Sequence, residues 1–431
     1  MRRRELLQLL GAAAGAYAIA PHGRALAQQP SPRPPKRLVL VFVTGGWDAV
    51  YALDPKDASH ASVPAGTVQA FEGLDVLVDP TRPGVGAFFT KYAGISAVVK
   101  GICTDAINHN ECQRRIATGT REETKPDFGA VVAHDLGNAL PLPYLILGDT
   151  AWTGPYAVSS GRVGATNQIV DLLDPSAQGG TQGRPSVLPP PQGIGWLSDQ
   201  ETALLRSYAQ ASVDRAHATR GALGYNRARV DDFLEAIDRA AQLRTLRAGF
   251  GTRGDALAYR SQIALALDAL QQGISHAVMV STGLLWDTHS DNWLQAGFHD
   301  QLFAGLTALV DGLAARPGLA TGTTMLDDTV VAVFSELSRT PYLGGDDPHA
   351  GKGHWPVTPA LVIGAGVKGG KTFGATDDNS GSLPIDLATG QPDPSGTTLL
   401  YSHFVAGMLS LCGVDPGVHL PNVPVFDAFA V

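Results

Sequence analysis

Three places in the chain set an acidic residue or a histidine just beyond a run of apolar residues. Residues 38–43 lead to Gly45-Gly46-Trp47-Asp48, residues 277–280 lead to Asp287-Thr288-His289, and residues 329–334 lead to Ser335-Glu336. Continuous apolar runs of this length read as strands buried on both faces. An open α/β sheet builds its ligand site at the carboxyl ends of such strands. Asp48, Asp287, His289 and Glu336 are therefore expected at one edge. Carboxylates and imidazoles without thiolates are a donor set for a divalent metal ion. Each residue also has a plainer reading. His289 can cap the following helix while Asp287 bonds backbone, and Glu336 can pair with Arg339 three residues on. Arg339 is either that structural partner or an anion-binding group.

Two more histidines, His349 and His354, lie in the polar loop Gly344-Gly345-Asp346-Asp347-Pro348-His349-Ala350-Gly351-Lys352-Gly353-His354. His354, just ahead of the apolar stretch 357–363, is the better placed to ligate. His109 and Asn108 begin a helix expected over 108–119, entered through Thr104-Asp105 and stopped at Gly119. Free N–H groups and the macrodipole make a helix N-terminus an anion site. His109 and Asn108 are thus candidates to meet a phosphate or sulfate; otherwise His109 is a helix-start residue packed on a neighbour.

Strands and helices must alternate to bring these residues together. Apolar runs at 37–44, 95–102, 144–147, 277–280, 329–334 and 360–363 read as strands. Helical spacing appears at 85–93, 108–119, 128–136, 292–315 and 399–412. The alternation predicts an α/β fold, a mostly parallel central sheet sandwiched by helices. Residues 54–83 read as loop with one short strand, and 150–195, rich in Gly, Ser and Pro, as loop with edge strands. Three further helical stretches, 199–218, 226–246 and 255–272, predict a helical insertion over about 198–273. The remainder, 37–431, reads as one domain.

The amino terminus belongs to another category. Arg2-Arg3-Arg4-Glu5-Leu6-Leu7, a mild Ala/Gly/Leu run and Ala25-Leu26-Ala27 read as an export signal over 1–27, the alternative being an uncleaved amphipathic anchor. The Arg3-Arg4-x-Leu6-Leu7 spacing points to the twin-arginine export machinery as a partner. Cleavage near Ala27 and a Pro-rich linker over 28–36 would follow, giving a periplasmic or secreted protein. No run approaches the ~20 apolar residues of a membrane-spanning helix. The formal net charge is −8, and losing the four arginines and one glutamate of 1–27 makes it more negative. That balance disfavours nucleic acid as a partner and suits a bound cation. Hydrophobic residues are 44% of the chain, ample for a core, while 50 glycines and 29 prolines imply long loops. Three cysteines, an odd number, form no disulfide framework. Cys103 and Cys112 could bridge, but free thiols are the expectation.

The motifs also carry a resemblance. Leu285-Trp286-Asp287-Thr288-His289, Phe334-Ser335-Glu336-Leu337-Ser338-Arg339-Thr340, Gly351-Lys352-Gly353-His354-Trp355-Pro356 and Gly370-Lys371-Thr372-Phe373-Gly374-Ala375-Thr376-Asp377 resemble the DUF1501 family. Those are exported bacterial proteins, commonly with twin-arginine signals. The family looks like a branch of the alkaline phosphatase and sulfatase superfamily. The resemblance implies a metal-dependent hydrolase of phosphate or sulfate esters, with a small-molecule or polymeric substrate and a divalent ion of unstated identity. It matches Asp48, Asp287 and His354 to metal ligands, with His289 nearby and Glu336 where the superfamily commonly has Asp-His. Joined to the residue readings above, Asp48, Asp287, His289, Glu336 and His354 would hold the metal, and His109, Asn108 and Arg339 are the catalytic candidates. Two departures stand out. Counting back ten residues from Gly119, as for a sulfatase nucleophile, lands on His109 rather than a Ser, Thr or Cys. Gly353 also stands where the family commonly has Asp before the His. The alternative implied is a catalytically silent envelope protein of the same fold, used for binding or assembly.

Overall fold

The computed structural model describes residues 33–148, 150–163, 198–219, 238, 243 and 258–431. The export signal, most of the linker, most of the 150–195 loop and nearly all of the helix expected over 226–246 lie outside these residues. Among the described residues, eight strands form the central sheet. They are β1 (Arg37–Val43), β2 (Ser96–Cys103), β3 (Tyr144–Leu147), β4 (Ser160–Val163), β5 (Ala277–Ser281), β6 (Thr329–Ser335), β7 (Val357–Gly364) and β8 (Lys371–Phe373). Their spatial order is β8-β2-β7-β6-β1-β5-β3-β4. β1 sits in the middle and pairs in parallel with β5 and β6. β7 alone runs the other way, antiparallel to both β2 and β6.

The strands are apolar throughout because both faces are covered. Val39, Val41 and Val43 of β1 join one core, and Leu38, Leu40 and Phe42 join the other. The first core packs beneath α1 (Pro83–Tyr92), and also beneath α5 (Tyr259–Gln271) and α6 (Gln295–Ala314), numbered in chain order. The second core meets α2 (His109–Thr118), α3 (Phe128–Gly137) and α7 (Tyr401–Cys412). The insertion contributes α4 (Asp199–Ala218), opened by a reciprocal cap between Ser198 and Glu201. A hairpin, Thr67–Phe71 with Leu74–Val78, occupies part of the stretch read as loop. Its first strand is exposed and carries little apolar alternation, which is why the sequence pattern understates it.

Register brings the strand ends into line. Val43 lies opposite Ser335, Phe42 opposite Ser281, and Val357 opposite Cys103. The carboxyl ends of β1, β2, β5 and β6 therefore share an edge with the start of β7. A loop entering an antiparallel strand arrives where loops leaving parallel strands depart. That is how His354 reaches the edge built by β1, β5 and β6. The three cysteines are free thiols. No helix among the described residues is long and apolar enough to cross a membrane.

Candidate metal centre

His109 is the first residue of α2, and Asn108 is its cap, Oδ1 accepting from Glu111 N at 3.3 Å. The Asn108 side chain is thus engaged by its own helix. Gly119 closes α2 in the left-handed conformation at φ 72°. His109 presents its two ring nitrogens to different partners. Nδ1 lies 2.8 Å from Glu336 Oε1. Nε2 lies 3.3 Å from Asp287 Oδ2 but outside hydrogen-bond geometry, leaving a buried nitrogen without a hydrogen-bond partner.

His354 repeats the arrangement from the other side. Its Nδ1 donates to the Ile107 carbonyl at 2.7 Å, and its Nε2 is 3.2 Å from Asp287 Oδ1. His289 brings its Nε2 to 2.9 Å from His354 Nε2 and 3.1 Å from Asp287 Oδ1. Ligand atoms of His109, Asp287 and His354 all lie within 4.8 Å of one another. Two of these imidazoles have Nδ1 fixed by an outer acceptor and Nε2 turned inward. That is how a histidine is prepared for a metal, since the outer hydrogen bond sets the tautomer and the ring angle. The donor set and the orphaned His109 nitrogen fit a divalent cation.

Glu336 directly follows β6 and has no exposure. Its Oε1 accepts from Gly45 N at 2.7 Å and faces His109 Nδ1 and Gln113 Nε2, while Ser335 Oγ approaches Oε2 at 3.2 Å. A buried carboxylate is tolerated only when its lone pairs are used, and these contacts use them. The structure places Glu336 behind His109, as the acceptor that orients it. Arg339 is also buried. Its Nη2 reaches Asp287 Oδ1 at 2.7 Å and the Gly45 carbonyl, and its Nε donates to the Gly46 carbonyl at 2.8 Å. The guanidinium ties Asp287 to the turn after β1, the turn that Gly45 and Gly46 make at φ 118° and 84°.

Asp48 sits apart from the His109–Asp287–His354 cluster. Its carboxylate receives Asn292 Nδ2 at 2.9 Å and lies 2.8 Å from Lys352 Nζ, an ion pair with both side chains 1% exposed. Lys352 is a member of the site's surroundings that spacing did not single out; the polar Gly351-Lys352-Gly353 context reads as solvated loop. Gln295 is another. It links the loops after β1 and β5, its Oε1 accepting from Asp48 N while its Nε2 donates to the Trp286 carbonyl. His349 lies outside, exposed and paired with Asp291 at 2.6 Å.

The electrostatics follow the contacts. The hydrogen bond to Glu336 raises the His109 imidazole above its ordinary value, outweighing burial. Burial acts against ionisation of Asp287, but Arg339, with His109 and His354, holds its carboxyl below the usual range. Burial lowers His289, so its imidazole favours the neutral form.

Comparison with solved structures gives distant likenesses. A sulfatase, PsFucS1 from Pseudoalteromonas sp., shares 11% identity with 92% of this chain and 70% of that one covered, at a TM-score of 0.33. A protein in the alkaline phosphatase superfamily from Vibrio parahaemolyticus shares 10%, covering 90% and 69%, at 0.32. The C-terminal periplasmic domain of EcEptC from Escherichia coli, in complex with Zn, shares 10%, covering 90% and 84%, at 0.39. No curated protein matches the chain. A family model does match, over residues 35–388, and the chain belongs to that family, described as protein of unknown function (DUF1501).

Proposed function

We propose that this chain is an exported, metal-dependent hydrolase of phosphate or sulfate esters. The observation that carries the reading is the convergence of His109 Nε2, His354 Nε2 and Asp287, with both imidazoles anchored through Nδ1. His109, Asp287 and His354 would hold the ion, with His289 beside them. A divalent cation bound there supplies Lewis acidity to an ester oxygen and to water. The protein's own groups do the rest. Glu336 keeps the His109 proton on Nδ1, and Arg339 fixes the Asp287 carboxylate. His289, neutral and half-exposed, is placed to take up a proton near the reacting group.

Elemental analysis of the purified mature protein tests the centre directly. About one equivalent of a divalent metal is expected. Aryl phosphate, phosphodiester and sulfate esters should turn over with the metal and stop turning over with EDTA. A metal-free protein that also fails to take up added Zn2+ would sink the reading.

A second reading, a catalytically silent binder, draws on one specific feature. The helix-start position offers an imidazole where a hydroxyl or thiol would make a covalent nucleophile, and Asn108 is spent on its cap. Metal uptake without turnover of any ester class would favour it. Export through the twin-arginine route, with a mature chain beginning at Gln28, belongs to the same proposal and is checked by sequencing the amino terminus of the exported form.

A further inference from the structure

Large apolar side chains are exposed on the loops that carry the metal-binding residues. Leu285, two residues before Asp287, is 84% exposed, although its neighbour Trp286 is fully buried. Ile107, whose carbonyl anchors His354, is 61% exposed. Trp293, four residues after His289, is 59% exposed, and its indole N–H is held by Asp291 Oδ1 at 3.1 Å. Tyr342 and Leu343 lie on the first limb of the loop between Arg339 and His354, and both are exposed. That loop is tied back across itself, Thr340 N to the Gly353 carbonyl and Gly344 N to the Gly351 carbonyl. A single exposed leucine means little, and apolar side chains are exposed elsewhere too, at Leu204, Tyr208 and Leu319 among others; those on the segments that bear His109, Asp287, His289 and His354 are the ones a ligand at the site would meet.

We propose that the substrate of this centre is an amphipathic ester, with its anionic head at the metal and its alkyl or aryl group lying on the rim of Leu285, Trp293 and Ile107. This rests on the metal-centre reading above. Charge decides between occupants. The metal end favours an anion, whereas the chain is acidic overall at −8 and would be repelled by an anionic membrane surface. A monomeric amphipathic anion satisfies both the cation site and its apolar surround.

The test uses methyl-, butyl-, hexyl- and octylphosphonate, which cannot be hydrolysed, each below its micellar concentration. They are titrated calorimetrically into the Zn2+-loaded full chain. Methylphosphonate should bind only with Zn2+ present, and affinity should rise about two- to fourfold per added methylene while the tail contacts the rim. Leu285→Ser combined with Trp293→Ser should flatten the series and leave methylphosphonate unchanged. Both positions are exposed, so an unaltered melting temperature is expected and is measured alongside. A flat series with methylphosphonate still bound overturns the rim and leaves the metal reading standing. Loss of metal-dependent methylphosphonate binding overturns the metal reading itself. A flat series together with sedimentation on phosphatidylcholine vesicles, lost in the double variant, overturns the substrate assignment in favour of membrane docking.

Discussion

Glu336 and His109 divide one task between them. The imidazole offers Nε2 to the centre because Nδ1 is committed to a carboxylate that has no exposure of its own. Replacing that carboxylate by its amide keeps the shape and removes the charge. Glu336→Gln should therefore weaken metal binding about 10- to 100-fold, the usual cost of losing an outer partner. Competition against a zinc-binding dye measures it. The same bond gives a pH signature. A proton on His109 competes with the ion, and Glu336 raises His109 above its ordinary value. Metal affinity should fall as the pH drops through that raised value, and Glu336→Gln should move the fall to lower pH. An unchanged midpoint would remove the orienting role. At this scale the sequence was informative about residue type and weaker about direction. Asp48 and Asp287 both follow apolar strands, yet one carboxylate turns to Lys352 and the other to the histidines. Nothing in the spacing says which way a side chain beyond a strand end will point.

The site depends on short pieces of backbone as much as on side chains. The apolar runs that became β1, β5 and β6 were legible because strands covered on both faces have no polar side to interrupt the pattern. The direction of β7 was not, since an apolar run reads alike from either end. Its reversal is what delivers His354 and Lys352 to the shared edge. The turn after β1 was legible in Gly45-Gly46, and its role goes beyond bending. A Cβ on Gly46 would come within 2.3 Å of Leu337 Cδ1 and 3.0 Å of Arg339 Nη2. Gly46→Ala should cost roughly 2–4 kcal/mol, from the left-handed backbone and the overpacking together. It should also loosen Arg339 from Asp287 and lower metal affinity. Gly322→Ala is the control. Its φ is 85°, but a Cβ there meets nothing within 4 Å, so it should lose only about 1 kcal/mol and no metal. Urea unfolding and metal titration of both variants separate strain from the site's own requirement. Equal losses in the two would mean that the contact with Arg339 carries no weight.

Across the whole molecule, the layered sheet was readable from alternation of strands and helices, whereas the polar framework beneath the site was not. Gln295, Asn292 and His299 come from the helical stretch 292–315, where they look like interruptions of an apolar face. In the structure they are buried and connect β1 to the loop after β5. His299 lies against Trp47, Tyr51 and Trp286, its Nδ1 2.8 Å from the Gln295 carbonyl. Burial pushes its imidazole down to about 4, and burial likewise lowers His276 and His403. A histidine depressed in the folded state is neutral there, while the unfolded chain takes up the proton near its ordinary value. Its stability contribution is complete above about pH 6.5 and is lost as the pH falls toward the folded value. For His299 alone the loss should reach about 1.4 kcal/mol by pH 5.5 and roughly 3 kcal/mol by pH 4, out of a total that for most domains is 5–15 kcal/mol. The metal-free protein should thus unfold at lower urea as the pH drops from 6.5 to 4, with little change between 6.5 and 8 from this source. His299→Gln should be less stable than the parent at pH 7.5, since it leaves an amide among three aromatic rings. Its further loss on acidification should be smaller, because the group that binds the extra proton on unfolding is gone. If the parent and His299→Gln lose stability in parallel between pH 6.5 and 4, the proton uptake resides elsewhere, and the buried imidazole beneath the candidate site is not the acid-sensitive element of this fold.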